Sequence, residues 1–139
     1  MNRRSMLLCA VALLAGALTS CQSWGPTWSE VTGVRYTIVM NRTPTAIVLI
    51  DGTSPGPSPT PAEPYYKLTP GNRVVEVQAL NPTPGWIPDT NLKRVELNFE
   101  PCRRYYINAQ FDNPLVSPWT AVVDYVETIP GCRLPTATK

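Results

Sequence analysis

All sixteen prolines of this 139-residue chain lie after Cys21, and their placement governs what that region can build. A proline has no N–H to donate, and its ring collides with the preceding helical turn. Long helices are therefore not expected from residue 21 onward. Five of the prolines crowd into Thr53–Pro64 (TSPGPSPTPAEP), and three more fall in 81–91 (NPTPGWIPDTN). Stretches between these proline-rich segments alternate apolar and polar residues, the period of half-buried strands.

Val34, Tyr36, Ile38 and Met40 alternate with Arg35, Thr37 and Val39, predicting a first strand that Asn41–Pro44 breaks. Ala46–Ile50 is apolar on both faces and runs into Asp51-Gly52, predicting a central strand ending in a turn. Tyr65–Leu68 reads as a short strand before the turn Thr69-Pro70-Gly71-Asn72. Val75, Val77 and Ala79 are then expected to face inward, as are Val95, Leu97 and Phe99 further on. Tyr105, Ile107, Ala109 and Phe111 alternate with Arg104, Tyr106, Asn108 and Gln110. Trp119–Glu127 returns as the last strand, with Ala121, Val123 and Tyr125 as its inward set. About seven short strands with turn residues between them predict an all-β fold, a single antiparallel Ig-like β-sandwich spanning residues 31–133. Residues 134–139 read as a polar tail.

The amino-terminal residues follow a different logic. Arg3 and Arg4 precede the apolar run Met6–Leu18, which is 13 residues long. As a helix it would reach roughly 20 Å, short of the roughly 30 Å hydrocarbon core of a membrane. A basic start, a short apolar run and small residues at its end describe a secretory signal. Leu18-Thr19-Ser20-Cys21 resembles the lipobox of bacterial lipoproteins, in which an aliphatic residue and two small ones precede a cysteine. The resemblance covers the first 21 residues. It implies that residues 1–20 are a cleaved signal peptide, and that Cys21 carries a diacylglycerol on its thiol and an acyl chain such as palmitate on its amine. An ordinary signal with an incidental cysteine is the alternative. Gln22, where the family uses Asp to retain proteins at the inner membrane, implies sorting to the outer membrane of a cell that has one. Residues 21–30 then read as a lipidated tether. Its Trp24 and Trp28 either lie at the lipid interface or pack onto the domain.

Cys9 leaves with the signal and Cys21 takes the lipid, so Cys102 and Cys132 remain. In an exported, oxidising compartment two leftover cysteines read as one disulfide. A final hairpin pivoting near Leu115 would set Cys102 opposite Thr128, with Ile129-Pro130-Gly131 folding Cys132 back to meet it. Residues 21–139 carry ten basic and ten acidic side chains. That neutrality offers nucleic acid no electrostatic footing.

A second resemblance lies in the domain itself. Ile47-Val-Leu-Ile-Asp51-Gly52, followed by Leu68-Thr-Pro70-Gly71 and Val74-Val-Glu-Val77, is similar to the pattern of PEGA-type small sandwich domains of bacterial surfaces. There an apolar strand ends in Asp-Gly, and a later Pro-Gly turn starts the next strand. The name-giving Pro-Glu-Gly-Ala is missing. The resemblance implies a surface sandwich and transfers no functional residue.

Candidate chemistry is sparse. Histidine is absent, which removes Ser-His-Asp and Cys-His arrangements and the commonest metal ligand. Lys67, Lys93 and Lys139 stand in no Ser-x-x-Lys spacing. Asp112, Asp124 and Glu127 flank a hairpin and are expected to face solvent. The glycines are isolated turn residues and not a phosphate-binding loop. No catalytic residue, metal or cofactor is expected. For binding, Trp86 reads either as an exposed platform for a sugar or peptide or as a plug over the end of the core. The basic set Lys93, Arg94, Arg103, Arg104 and Arg133 is either a surface for anionic glycan or lipid, or a solvated face balanced by Glu96 and Glu100. Thr53–Pro64 is either a polyproline-like binding segment or an extended loop. The resulting expectation is an envelope lipoprotein, held to the membrane by its N-terminal lipid, acting as a structural or protein-interaction module. The alternative is a lipoprotein that binds cell-wall glycan or peptide through Trp86 and the proline-rich loops.

Overall fold

The computed structural model of the chain describes residues 27–35, 41–56, 64–80, 92–113, 116–134 and 136, with the side chains at 116 and 117 excepted. Among them are seven strands and no helix: β1 (Ser29–Thr32), β2 (Arg42–Ile50), β3 (Tyr66–Leu68), β4 (Gly71–Ala79), β5 (Lys93–Phe99), β6 (Arg103–Asn113) and β7 (Val116–Thr128). The all-β expectation and the number of strands hold.

The organising strand is β6. One of its edges pairs antiparallel with β7 along nearly its whole length. Its other edge is shared, with β1 running parallel to Arg104–Tyr106 and β2 antiparallel to Asn108–Gln110. Strand order is β3-β1-β6-β2-β4-β5 with β7 beside β6, and the sheet does not close. After Pro44, β2 leaves β6 and pairs with β4 from Thr45 to Ile50. Proline is tolerated at that point because a strand changing partners has a position where no ladder donor is required. The sheet thus bends into two layers, β3-β1-β6-β7 and β2-β4-β5. Val31, Leu68, Tyr105, Ile107, Ala109, Phe111 and Trp119 from the first layer meet Val75, Val77, Ala79 and Phe99 from the second in one core. Each large apolar side chain so buried contributes about 1.5–3 kcal/mol.

Several expectations need correction. The sandwich is not wholly antiparallel, because β1 lies parallel to β6. The domain begins before residue 31: Ser29 and Glu30, expected in the tether, are buried in β1. Ala46–Ile50 is not central. It is half-buried, and among the described residues no strand covers the edge facing away from β4. Of the expected strand at 34–40, Val34 and Arg35 are irregular, and the rest lies outside the described residues.

A β-bulge accounts for the departure in β7. Tyr106 pairs with Tyr125 but Ile107 pairs with Val123, leaving Asp124 as the extra residue. A bulge re-aims the side chains beyond it, so Tyr125 stacks beside Tyr106 on the outer face, 5.8 Å between ring centroids, and does not point inward. Val123 is likewise exposed, and of the expected inward set only Ala121 packs against the core. The same bulge advances the register by one residue. Arg103 therefore faces Thr128, and Cys102 lies beside Ile129, whose N–H donates to the Cys102 carbonyl at 2.9 Å. The disulfide Cys102–Cys132 is present.

Candidate functional site

Two features stand out, an ionic network on the outer face of β6 and the disulfide-clamped end of the sandwich. Alternation along β6 sends Arg104, Tyr106, Asn108 and Gln110 to the face away from the core. The β7 bulge adds Asp124 to that face, and β1 supplies Glu30. Glu30 is 2% exposed despite its charge, a placement that requires partners. It has two: Arg104 Nε lies 2.6 Å from Glu30 Oε2, and Trp28 Nε1 donates to Glu30 Oε1 at 2.8 Å. Arg104 also reaches Glu127 Oε1 at 2.8 Å and stacks over Tyr65 at 3.9 Å. Tyr106 donates its hydroxyl to the same Glu127 oxygen at 2.7 Å.

Further along β6, Asp124 is enclosed by two arginines. Arg35 lies 2.7 Å from its Oδ2, and Arg42 binds its Oδ1. Arg42 Nε also donates to Gln110 Oε1 at 2.6 Å. Arg35 stacks over Tyr125 at 4.1 Å. Buried Asn108 donates its amide to the Arg35 carbonyl at 3.1 Å. The expectation that Asp124 faces solvent is overturned: on the outer face the two arginines cover it, leaving its side chain 3% exposed.

The electrostatics follow from these contacts. The Tyr106 hydroxyl and then Arg104 hold Glu127 below the usual carboxylate range, against the opposing effect of burial. Burial, reinforced by the hydrogen bond to Glu127, raises Tyr106. Burial acts against the charge of Arg104, but Glu30, Tyr106 and Glu127 together raise its pKa above the ordinary value. Glu30, Asp124 and Glu127 are each committed to a guanidinium. The network ties β1, the segment entering β2, β6 and β7 into one face.

At the disulfide end, the chain enters the domain. Cys102 N–H donates to the Trp28 carbonyl at 2.8 Å, Thr27 Oγ1 donates to the Arg133 carbonyl at 2.6 Å, and Ser29 Oγ donates to the Glu100 carbonyl at 2.8 Å. A shallow cavity of about 530 Å³ opens there between Arg103, Thr128, the disulfide and Leu134.

The expected basic set is not one patch. Lys93 stands at the opposite end of the sandwich, 5.5 Å over the Trp119 ring. Arg94 pairs with Glu96 at 2.8 Å on an exposed strand face, and Arg103 lies 3.9 Å from Glu100. Arg104 is held by Glu30 and Glu127. Arg133 is exposed at the disulfide end. Trp28 packs onto the domain, its ring 4.9 Å from Lys67 Nζ. Asp112 is exposed, as expected. Cys21, Trp24, Trp86 and most of Thr53–Pro64 lie outside the described residues.

Sequence reasoning missed Glu30, Arg35 and Arg42 as partners of β6 and β7. Their contacts span 68 to 89 residues, and no local period reports them. One signal was available: Trp28 and Glu30 are two apart, the spacing that places side chains on one face of a strand.

No family model matches the chain, and no curated protein or solved structure matches it significantly. The likeness to PEGA-type sandwiches therefore rests on its turn motifs alone.

Proposed function

We propose that this chain is a bacterial envelope lipoprotein, anchored through Cys21 in the outer membrane, whose sandwich serves as a structural or protein-interaction module. The observation that carries the reading is the sequence Leu18-Thr19-Ser20-Cys21, which stands only six residues before Thr27, where the domain takes hold of the chain. A signal of this form delivers a folded domain to a membrane surface with little slack. The ionic face of β6 suits such a role, since it fixes several strands through side chains already paired with one another. Several acyl chains, at about 0.8 kcal/mol per buried methylene, would make release from the bilayer negligible.

The test is fractionation of cells producing the wild-type chain or Cys21→Ser. The wild type is expected in the membrane fraction, with a diacylglyceryl mass at its mature N-terminus. Cys21→Ser is expected to leave that fraction or to remain unprocessed. A serine variant that stays membrane-bound at mature size overturns the reading. Crosslinking in intact cells should then capture one recurrent envelope protein.

A further inference from the structure

We infer that the disulfide-clamped end of the sandwich faces the bilayer and rests on its anionic headgroups. This rests on Cys21 being the anchor, as proposed above. From Cys21 to Thr27 there are six backbone steps, so the chain between them spans at most about 22 Å, whatever its path. Thr27 is fixed to Arg133, and Trp28 to Cys102, both at the disulfide end. β6 runs from that end at Arg103 to the far end at Asn113, a length of roughly 33 Å. The tether is shorter than the domain, so the sandwich cannot stand inverted on its anchor.

The surface brought down by this geometry suits an interface with lipid. Among the described residues Lys67, Arg103 and Arg133 are exposed there, with Asp51 and Glu100 as the exposed acids. Leu134 is 66% exposed beside them. Trp28 lies under Lys67, an indole and an ammonium together at the level where headgroups begin. Leu80 and Leu92, which flank the segment carrying Trp86, stand at the opposite end, where β4 finishes and β5 starts. The domain therefore gives up and takes back that segment, at Leu80 and Leu92, on the side away from the anchor.

The experiment uses the full lipidated chain in vesicles of phosphatidylglycerol and phosphatidylethanolamine. A benzophenone side chain replaces Leu134 in one preparation and Leu92, also exposed, in another. After irradiation, lipid adducts are counted by mass spectrometry. Intact mass before irradiation reports the anchor separately: a chain without diacylglycerol at Cys21 defeats the lipoprotein reading and the orientation with it. With the lipid in place, adducts at Leu134 at least fivefold above those at Leu92 are expected. Equal yields, or an excess at Leu92, overturn the orientation alone. Arg103→Gln and Arg133→Gln should each lower the Leu134 yield by about fivefold. An unchanged yield in both overturns the headgroup contact.

Discussion

Arg104 Nε sits 2.6 Å from Glu30 Oε2, and the two residues face each other in register across the parallel pairing of β1 with β6. This contact neutralises a carboxylate that is almost wholly removed from water. Truncating Arg104 leaves the Glu30 carboxylate buried with the Trp28 N–H but no counter-charge, which costs far more than the pair contributes as a unit. Arg104→Ala is expected to lower stability by about 3–5 kcal/mol in urea unfolding. Replacing Glu30 and Arg104 together with methionine should cost clearly less than Arg104→Ala alone. A double variant as unstable as the single one would show that packing by the arginine stem, and not charge compensation, dominates the site.

Stability should fall at both ends of the pH scale, for separate reasons. The Val74 backbone N–H, at 2.9 Å, and then Arg73 hold Asp51 below its usual pKa. Glu127 is lowered as well, by the Tyr106 hydroxyl first. A lowered folded-state pKa means that the stabilisation is present above the unfolded value, about 4, and is lost as pH falls through the folded one. Tyr106 has the opposite sign. Its raised pKa gives stability that is present below about 10 and lost as pH rises through the folded value. Urea midpoints measured across pH should therefore form a plateau with two falling limbs. Asp51→Asn should flatten the acid limb and cost under about 1 kcal/mol at neutral pH, since the side chain is 42% exposed.

The residues legible in the sequence are those with local or period-two relations. Tyr105, Ile107, Ala109 and Phe111 alternate cleanly and are all buried. Val75, Val77 and Ala79 behave the same way in β4. Asp51-Gly52 reads as a turn because both residues adopt positive φ, 51° and 77°, which few residue pairs tolerate. What stayed hidden is long-range or aperiodic. A single extra residue, Asp124, reverses the facing of Tyr125, and alternation contains no marker for that insertion. The start of β1 reads as tether because Ser29–Thr32 (SEVT) is short and polar. Its burial comes from partners far along the chain.

The disulfide joins Cys102 to Cys132 across 30 residues. It closes the loop formed by β6 and β7, whose ladder already brings its ends together. Chain-entropy arguments give about 3–4 kcal/mol for a loop of this length. The double variant Cys102→Ala, Cys132→Ala should therefore lose about 3 kcal/mol in urea unfolding while keeping its strand content by circular dichroism. Because Thr27 and Trp28 are held at this same end, protease sensitivity should increase first at residues 27–29. If cleavage increases first near the 113–116 hairpin, the clamp does not secure the chain's entry.

Gly33 stands where β1 ends and β2 passes from one layer to the other. Its carbonyl accepts the Thr45 N–H at 3.0 Å, and a Cβ added there would lie 2.0 Å from the Thr45 carbonyl oxygen. That oxygen belongs to backbone and cannot rotate aside, so any side chain must push β2 away from β1. Gly33→Ala is expected to cost about 3 kcal/mol or more, at the upper end for overpacked sites. Gly52 provides the contrast: its φ is +77°, but among the described residues a Cβ added to it would meet no atom within 4 Å. Gly52→Ala should cost only about 1–2 kcal/mol, from backbone strain alone. Urea unfolding of the two variants decides between crowding and conformation as the main demand for glycine in this fold. If Gly33→Ala is the milder change, β1 approaches β2 less closely than these distances require, and Glu30 on β1 loses the rigid footing on which its pairing with Arg104 depends.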